Sequence, residues 1–148
     1  LITYALMPNH IHLLVRQETT IPIYKFISSL HTSYSMYFNK KYDHVGHLFQ
    51  DRFKQVIVDS DEQLLHLTRY IHLNPVEASL VKDLEDYPWT SYREYIGDSS
   101  VSICTKDIIM ELMNANKENF PQKYREFCRL PITDRDDQVL EEIALEPF

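Results

Sequence analysis

Two histidines one residue apart, His10 and His12, are the first side chains whose spacing suggests chemistry. Side chains on a β-strand alternate between its faces, so residues i and i+2 point the same way, about 7 Å apart. Two imidazoles on one face can converge on one metal ion. Ile11 then points to the other face with Leu13 and Val15, and we expect that face to be buried. An exposed histidine pair without a function has the same spacing, so both interpretations stay open.

A second candidate is the segment 69–75, which reads RYIHLNP. On a helix, Tyr70 and Asn74 are i, i+4 neighbours on one face. The adjoining stripe is apolar and is predicted to be buried; it consists of Leu64, Leu67 and Ile71. Tyr70 is therefore expected at the border of the core with its hydroxyl within reach. A border tyrosine whose hydroxyl only completes a hydrogen bond is the alternative.

The hydropathy pattern predicts the elements that carry these residues. Extended segments are expected at 1–7 and 10–16, either as one bent strand or as a hairpin around Pro8-Asn9. Apolar residues at helical spacing predict an amphipathic helix over Pro22–Asn39. Imperfect alternation predicts a strand over Leu48–Val58, and a helix is expected from Asp61 to Leu73, where Asn74-Pro75 would end it.

The remainder of the chain is predicted to be helical in short pieces. One or two turns are expected over 75–81, and an aromatic loop with a short helix over 84–97. The tail pattern predicts helices over Lys106–Asn114, Pro121–Cys128 and Asp136–Leu145. A change in composition near 97–100 is the one plausible boundary, dividing residues 1–97 from a helical appendage over 98–148.

Composition excludes several classes of protein. With 148 residues, 44% hydrophobic and 25% charged, the chain is long enough for one domain with its own core and is not disordered, collagen-like or a coiled-coil rod. Apolar runs are too short to span a bilayer, and Cys104 and Cys128 lack framework or metal spacing, which favours a reducing cytoplasm. Because the chain opens with Leu1 inside an apolar run, we expect an N-terminal piece to be missing.

Charge alone does not settle whether nucleic acid is a partner. The net charge is −7, of which residues 98–148 contribute −5, whereas DNA-binding domains are usually basic. Between residues 24 and 54, however, five cations alternate with eight aromatic side chains. Such a stretch can hold a single strand by charge and by stacking on bases, although the aromatic residues can equally belong to the core.

Four phrases carry a family resemblance: YALMPNHIHLLV, GHLFQDRFK, RYIHLNPVEASLV and DYPWTSYREYIG, in this order. In series they resemble the HUH-type single-tyrosine transposases, in particular the REP-associated tyrosine transposases, over residues 1–97. The resemblance implies an α+β, ferredoxin-like (RRM-like) fold with an antiparallel sheet and helices on one face. The N-terminal strand and helix of that fold are expected to be missing here.

The resemblance also implies site residues and a reaction. His10 and His12 match the metal-binding histidines of the HUH motif, Tyr70 matches the nucleophile, and Asn74 matches a third metal ligand. The family cuts and rejoins single-stranded DNA bearing hairpins through a 5′-phosphotyrosine link, without ATP. The implied cofactor is a divalent ion, Mg²⁺ or Mn²⁺. In some relatives a homodimer exchanges the tyrosine helix, so action within one chain and between chains both remain open.

Contacts to DNA are expected from the cations near these elements. The predicted phosphate-binding residues are Lys40, Lys41, Arg52, Lys54 and Arg69. Solvated surface charges, or a structural salt bridge for Arg69, are the alternatives. Two further functions stay open: a nucleic-acid-binding module of the same descent that no longer cuts, and a metal-dependent phosphodiesterase that hydrolyses without rejoining.

Overall fold

The computed structural model describes residues 1–50 and 52–133, and it has the predicted α+β fold with an antiparallel sheet. The strands are β1 (Thr3–Leu6) and β2 (Ile11–Leu14). The α-helices are α1 (Ile23–Tyr42), α2 (Asp61–Glu77), α3 (Tyr92–Tyr95), α4 (Asp107–Leu112) and α5 (Phe120–Arg129), with a 3-10 turn at Leu84–Asp86. The predicted helix Asp136–Leu145 lies outside the described residues.

The two extended segments form a hairpin rather than one bent strand. Pro8 and Asn9 occupy the turn, where their types are favoured, and the Met7 N–H donates to the His10 carbonyl at 2.9 Å. β1 and β2 pair so that Ala5 faces His12 across the ladder. Residues 89–91 pair with the other edge of β1 through an Ala5–Thr90 bridge. The hairpin therefore sets His10 and His12 at the start of β2.

The expectation that Ile11, Leu13 and Val15 face the core was wrong. These side chains are half-buried, whereas Leu14 is fully buried and belongs to the core. Thr3 lies directly opposite Leu14 and is completely buried. The core therefore lies on the face that carries His12 and Leu14, because α2 packs on β1 from that side.

Helix α2 begins as predicted and ends later than predicted. The Ser60 side chain accepts a hydrogen bond from the Gln63 N–H at 3.1 Å, which caps the first turn. The predicted stop before Pro75 was wrong, since the helix continues to Glu77. Pro75 costs the helix one backbone hydrogen bond, but its side chain is almost completely buried, and only two helical residues follow it.

The core is built from the hairpin, α2 and the segments after residue 90. The predicted apolar stripe Leu64, Leu67 and Ile71 is buried, as expected. Buried side chains of the later segments complete the same cluster; they are Tyr92, Tyr95, Ile96, Cys104, Ile109, Phe120, Tyr124 and Cys128. The segments around α4 and α5 thus share their core with the hairpin, while the predicted division at residue 97 stays a prediction.

Residues 16–55 form a compact unit of their own, separate from residues 1–15 together with 56 onward. Helix α1 ends at Tyr42, and the residue that caps it, Asp43, has a left-handed φ of 50°. The following loop is tied back by Asn39, whose Nδ2 donates to the Gly46 carbonyl at 3.1 Å, and Phe49 stacks on His31 at 4.0 Å between ring centroids.

The predicted strand Leu48–Val58 was wrong. Its described residues, 48–50 and 52–58, have no strand structure. A strand needs a neighbouring backbone to pair with, and among the described residues neither the ladder of β1 with β2 nor the Ala5–Thr90 bridge includes this segment. No described helix is both long and apolar enough to cross a bilayer.

Candidate active site

The histidine pair after the hairpin turn converges on one point. The Nε2 atoms of His10 and His12 lie 3.0 Å apart, with their rings nearly perpendicular and 4.7 Å between centroids. The two rings thus present the same nitrogen to the same small volume. Their spacing along the strand predicted this convergence.

Asn9 orients the first of these rings. The Nδ1 of His10 and the Oδ1 of Asn9 lie 2.7 Å apart, and since an amide oxygen can only accept, Nδ1 carries the proton. The Nε2 of His10 therefore presents its lone pair, as a metal-binding histidine does. Asn9 was not predicted as a site residue, because a turn asparagine is expected for its backbone preference alone.

Both imidazoles are held in the neutral form. Burial lowers the pKa of His10. Burial, and then the neighbouring His10, lower the pKa of His12 to about 4. Neutral imidazole is the form that binds a metal, so the pair is in the ligand form at neutral pH.

The donor set fits a divalent ion in part. Two nitrogen ligands each about 2.1 Å from one ion and at right angles stand about 3.0 Å apart. The two Nε2 atoms have this separation, at which they form a hydrogen bond with each other, His12 donating to the lone pair of His10. Within residues 1–50 and 52–133 no group of three or more His, Cys, Asp and Glu side chains could hold a metal. A third protein ligand would therefore be of another type, such as an amide oxygen.

Tyr70 on α2 faces this pair within the same chain. The rings of Tyr70 and His12 meet edge to face, with 6.3 Å between centroids. Tyr70 is half-buried, as its predicted place at the border of the core requires. The two predicted candidate sites thus form one cluster, although 58 positions separate His12 from Tyr70.

Asn74 connects to this cluster through Tyr70. It is buried, and its Nδ2 donates to the Tyr70 carbonyl at 3.3 Å. Burial raises the pKa of the Tyr70 phenol, while a hydrogen bond from the Asn74 side chain acts in the opposite direction. The phenol is therefore protonated at neutral pH, and its ionised form would need support from positive charge or hydrogen-bond donors.

The other predicted site residues lie elsewhere. Arg69 is buried, donates to the Leu130 carbonyl, and sits over the Phe127 ring at 5.2 Å, so its described contacts anchor the end of α5. Its role in holding a phosphate stays a prediction. The predicted phosphate-binding residues Lys40, Lys41, Arg52 and Lys54 all belong to the separate unit 16–55.

His72 was not predicted to have any role. It points away from Tyr70 into the core, where it is 1% exposed and contacts Thr3, Ser91 and Tyr124 through hydrogen bonds. Complete burial lowers its pKa to about 3. The sequence could not reveal this cluster, because its members come from four separate segments.

Comparison with known proteins gives the same assignment as the motifs. The family model described as "Transposase IS200 like" matches residues 1–74. A protein of Haemophilus influenzae named "Putative REP-associated tyrosine transposase" is 29% identical over 102 residues, which cover 62% of this chain and 57% of the relative. The chain thus spans a little over half the length of this relative. No solved structure matches.

These matches place the chain in a family of transposases. It belongs to the IS200-like transposase family, whose model covers half of the chain. The predicted family is confirmed.

Proposed function

We propose that this protein cleaves and rejoins single-stranded DNA with Tyr70 as nucleophile. The observation that carries the proposal is the contact between the Tyr70 ring and His12, whose Nε2 converges with that of His10. A nucleophile beside a candidate metal site is the arrangement that phosphoryl transfer requires. The contact lies within one chain, and we propose that Tyr70 acts in cis.

The reaction proposed for Tyr70 keeps the energy of the phosphodiester. The phenolic oxygen bonds to phosphorus while the bond from phosphorus to the 3′ oxygen breaks, giving a 5′-phosphotyrosine and a free 3′-OH. The phenol loses a proton, and the departing 3′ oxygen gains one. The link can then be attacked by a 3′-OH to reseal a strand, so the reaction needs no ATP.

His10, His12 and Asn74 are the proposed ligands of a divalent ion, Mg²⁺ or Mn²⁺. Bound there, the ion would supply charge stabilisation to the phosphoryl oxygens. Imidazole favours softer ions than Mg²⁺, which makes Mn²⁺ the better probe. Since Tyr70 and Asn74 share α2, one helix carries both the nucleophile and a ligand.

The DNA substrate is proposed to be a single strand with a hairpin, held largely by its phosphates. Residues 16–55 contain six Lys and Arg against three Asp and Glu, a net charge of +3, although the whole chain is at −7. Lys40, Lys41, Arg52 and Lys54 lie in this basic unit and are the proposed phosphate contacts, together with Arg69. Both described cysteines are free, in keeping with the proposed cytoplasmic location.

A covalent adduct tests the proposal. Protein, Mn²⁺ and a labelled hairpin-bearing single strand should give a DNA–protein species that survives denaturing electrophoresis. Tyr70→Phe should give none while binding the strand as wild type does, and Tyr24→Phe, at an exposed tyrosine of α1, should react normally. Cleavage without an adduct would indicate a hydrolysing phosphodiesterase. Binding without cleavage would indicate a non-catalytic nucleic-acid-binding module.

A further inference from the structure

A buried polar cluster lies behind the candidate active site. His72 Nε2 is 2.7 Å from the Thr3 hydroxyl and 2.6 Å from the Ser91 hydroxyl. The two hydroxyls lie 2.7 Å from each other, and His72 Nδ1 is 2.7 Å from the hydroxyl of Tyr124. All four residues are at most 1% exposed. Both ring nitrogens of His72 are therefore in short hydrogen bonds inside the core.

The cluster joins four segments of the chain through one side chain. Thr3 lies in β1, His72 in α2, Ser91 just before α3 and Tyr124 in α5. The Ser91 hydroxyl also accepts from the Tyr4 N–H of β1 at 3.0 Å. Burying so many polar groups is costly unless every one is paired, so the cluster specifies one way of seating α2 on β1.

The seating of α2 on β1 also determines the geometry of the candidate site, because α2 carries Tyr70 and the sheet carries His12. Tyr70 comes two residues before His72, about 200° around α2, so fixing one side of the helix fixes the direction of the other. On the sheet, Thr3 pairs with Leu14 and Ala5 pairs with His12. His72 thus holds the tyrosine helix to the strand whose partner carries His12.

We propose that His72 is a positioning residue, whose hydrogen bonds to Thr3 and Ser91 set the rotation of α2 that holds Tyr70 against His12. The expected effect on the rate of reaction rests on the function proposed for Tyr70. The expected effect on the contact between Tyr70 and His12 does not depend on that function. Misplacing a reacting group by about 1 Å can cost about a hundredfold in rate. A small turn of α2 would therefore reduce the chemical step far more than DNA binding.

Two variants remove the hydrogen bond between His72 and Thr3 of β1, and a third variant serves as a matched control. His72→Leu removes every hydrogen bond of the imidazole. Thr3→Val removes the strand's hydroxyl with little change in shape, and it serves if His72→Leu does not fold. Tyr124→Phe removes one hydroxyl of the same cluster on the α5 side, leaving the bonds to Thr3 and Ser91. All are compared at a temperature where circular dichroism shows each protein fully folded.

The first measurement is nuclear magnetic resonance without DNA. Nuclear Overhauser cross-peaks between the ring protons of His12 and Tyr70 are expected in wild type and in Tyr124→Phe. They should be lost or strongly weakened in Thr3→Val and His72→Leu. Unchanged cross-peaks in the Thr3 and His72 variants, or equal weakening in Tyr124→Phe, would overturn the proposal whether or not the protein forms an adduct.

The second measurement separates the chemical step from binding. At saturating hairpin DNA, Thr3→Val and His72→Leu should form the adduct at least about tenfold more slowly, with the dissociation constant for DNA within about twofold of wild type. Tyr124→Phe should keep the wild-type rate. An equal loss of rate in Tyr124→Phe would indicate a purely structural cluster and would overturn the proposal. If wild type forms no adduct, the proposed function is contradicted, and the positioning role of His72 is then decided by the resonance measurement alone.

Discussion

The ring of Tyr70 on α2 meets the ring of His12 on β2 edge to face, 6.3 Å between centroids. The contact joins a helix to the edge of a hairpin, and neither element alone would place a phenol beside an imidazole. Because α2 packs on the face of the sheet that carries His12, the half-buried tyrosine reaches the histidine pair from the core side. The contact therefore depends on the core that seats the helix.

Removing a ligand of the histidine pair should weaken metal binding. We expect His12→Ala to lower Mn²⁺ affinity by at least about tenfold, and Asn9→Ala, which frees the His10 ring to rotate, to lower it by about tenfold. Calorimetric titration with Mn²⁺ measures both. His47→Ala, at an exposed histidine of the unit 16–55, is the control. Equal affinities for wild type and His12→Ala would contradict the metal site.

How far the sequence predicts this site can be seen from the hairpin and α2. The turn residues Pro8-Asn9 and the spacing of His10 and His12 are local signals; they predicted two extended segments and left a hairpin and one bent strand both open, and the structure has the hairpin. The stripe Leu64, Leu67 and Ile71 likewise predicted the buried face of α2. From these alone Tyr70 was expected at the border of the core, where it lies.

Features that depend on tertiary contacts were not predictable. The segment 48–58 alternates like a strand, but it has no strand structure because pairing depends on a neighbour that a local pattern cannot show. Pro75 was expected to end α2, yet burial of its ring in the core outweighs the lost hydrogen bond. The role of His72 rests on partners 69, 19 and 52 positions away along the chain.

Glu94 should be essential for the stability of the segment that follows α3. It is buried, and its Oε2 accepts from the N–H groups of Ile103 and Cys104 at 2.9 and 3.0 Å. Glu94→Ala would leave these donors without an acceptor and should lower the free energy of unfolding by about 2–3 kcal/mol. Glu94→Gln keeps an acceptor oxygen and should cost about 1 kcal/mol.

Urea denaturation followed by circular dichroism measures the Glu94 variants. The expected order of stability is wild type, Glu94→Gln and then Glu94→Ala. A difference of less than about 0.5 kcal/mol between wild type and Glu94→Ala is what a surface substitution would give, and it would show that the carboxylate does not hold this segment.

Stability should decline at alkaline pH because buried acids must ionise on unfolding. Burial raises the pKa of Tyr92 from 10.0 to about 12, that of Cys104 from 9.0 to about 11 and that of Cys128 from 9.0 to about 12. Each folded-state pKa lies above its unfolded value. The stabilisation is therefore complete below pH 9 and is lost as the pH rises towards 11–12.

The alkaline decline can be measured by urea denaturation between pH 8 and pH 11. We expect the free energy of unfolding to be constant up to about pH 9 and to fall from there to pH 11. Tyr92→Phe should show a shallower fall above pH 10, because one ionising group is gone. A constant free energy of unfolding from pH 8 to pH 11 would contradict the burial of these groups.

Salt dependence distinguishes phosphate contacts from ordinary surface charges. Lys40 and Lys41 lie in the last turn of α1, where the Lys41 Nζ donates to the Tyr37 hydroxyl at 3.0 Å. Each phosphate contact to a single strand contributes about 0.7 to the slope of log affinity against log salt concentration. If both lysines neutralise phosphates, the double variant Lys40→Ala/Lys41→Ala should reduce that slope by about 1.4.

The control is Lys117→Ala, at an exposed lysine outside the basic unit, which should leave the slope unchanged. Fluorescence anisotropy at several salt concentrations measures the slopes. Because the comparison uses slopes rather than affinities, a variant that merely loosens the helix without losing a phosphate contact would weaken binding at every salt concentration but keep the wild-type slope.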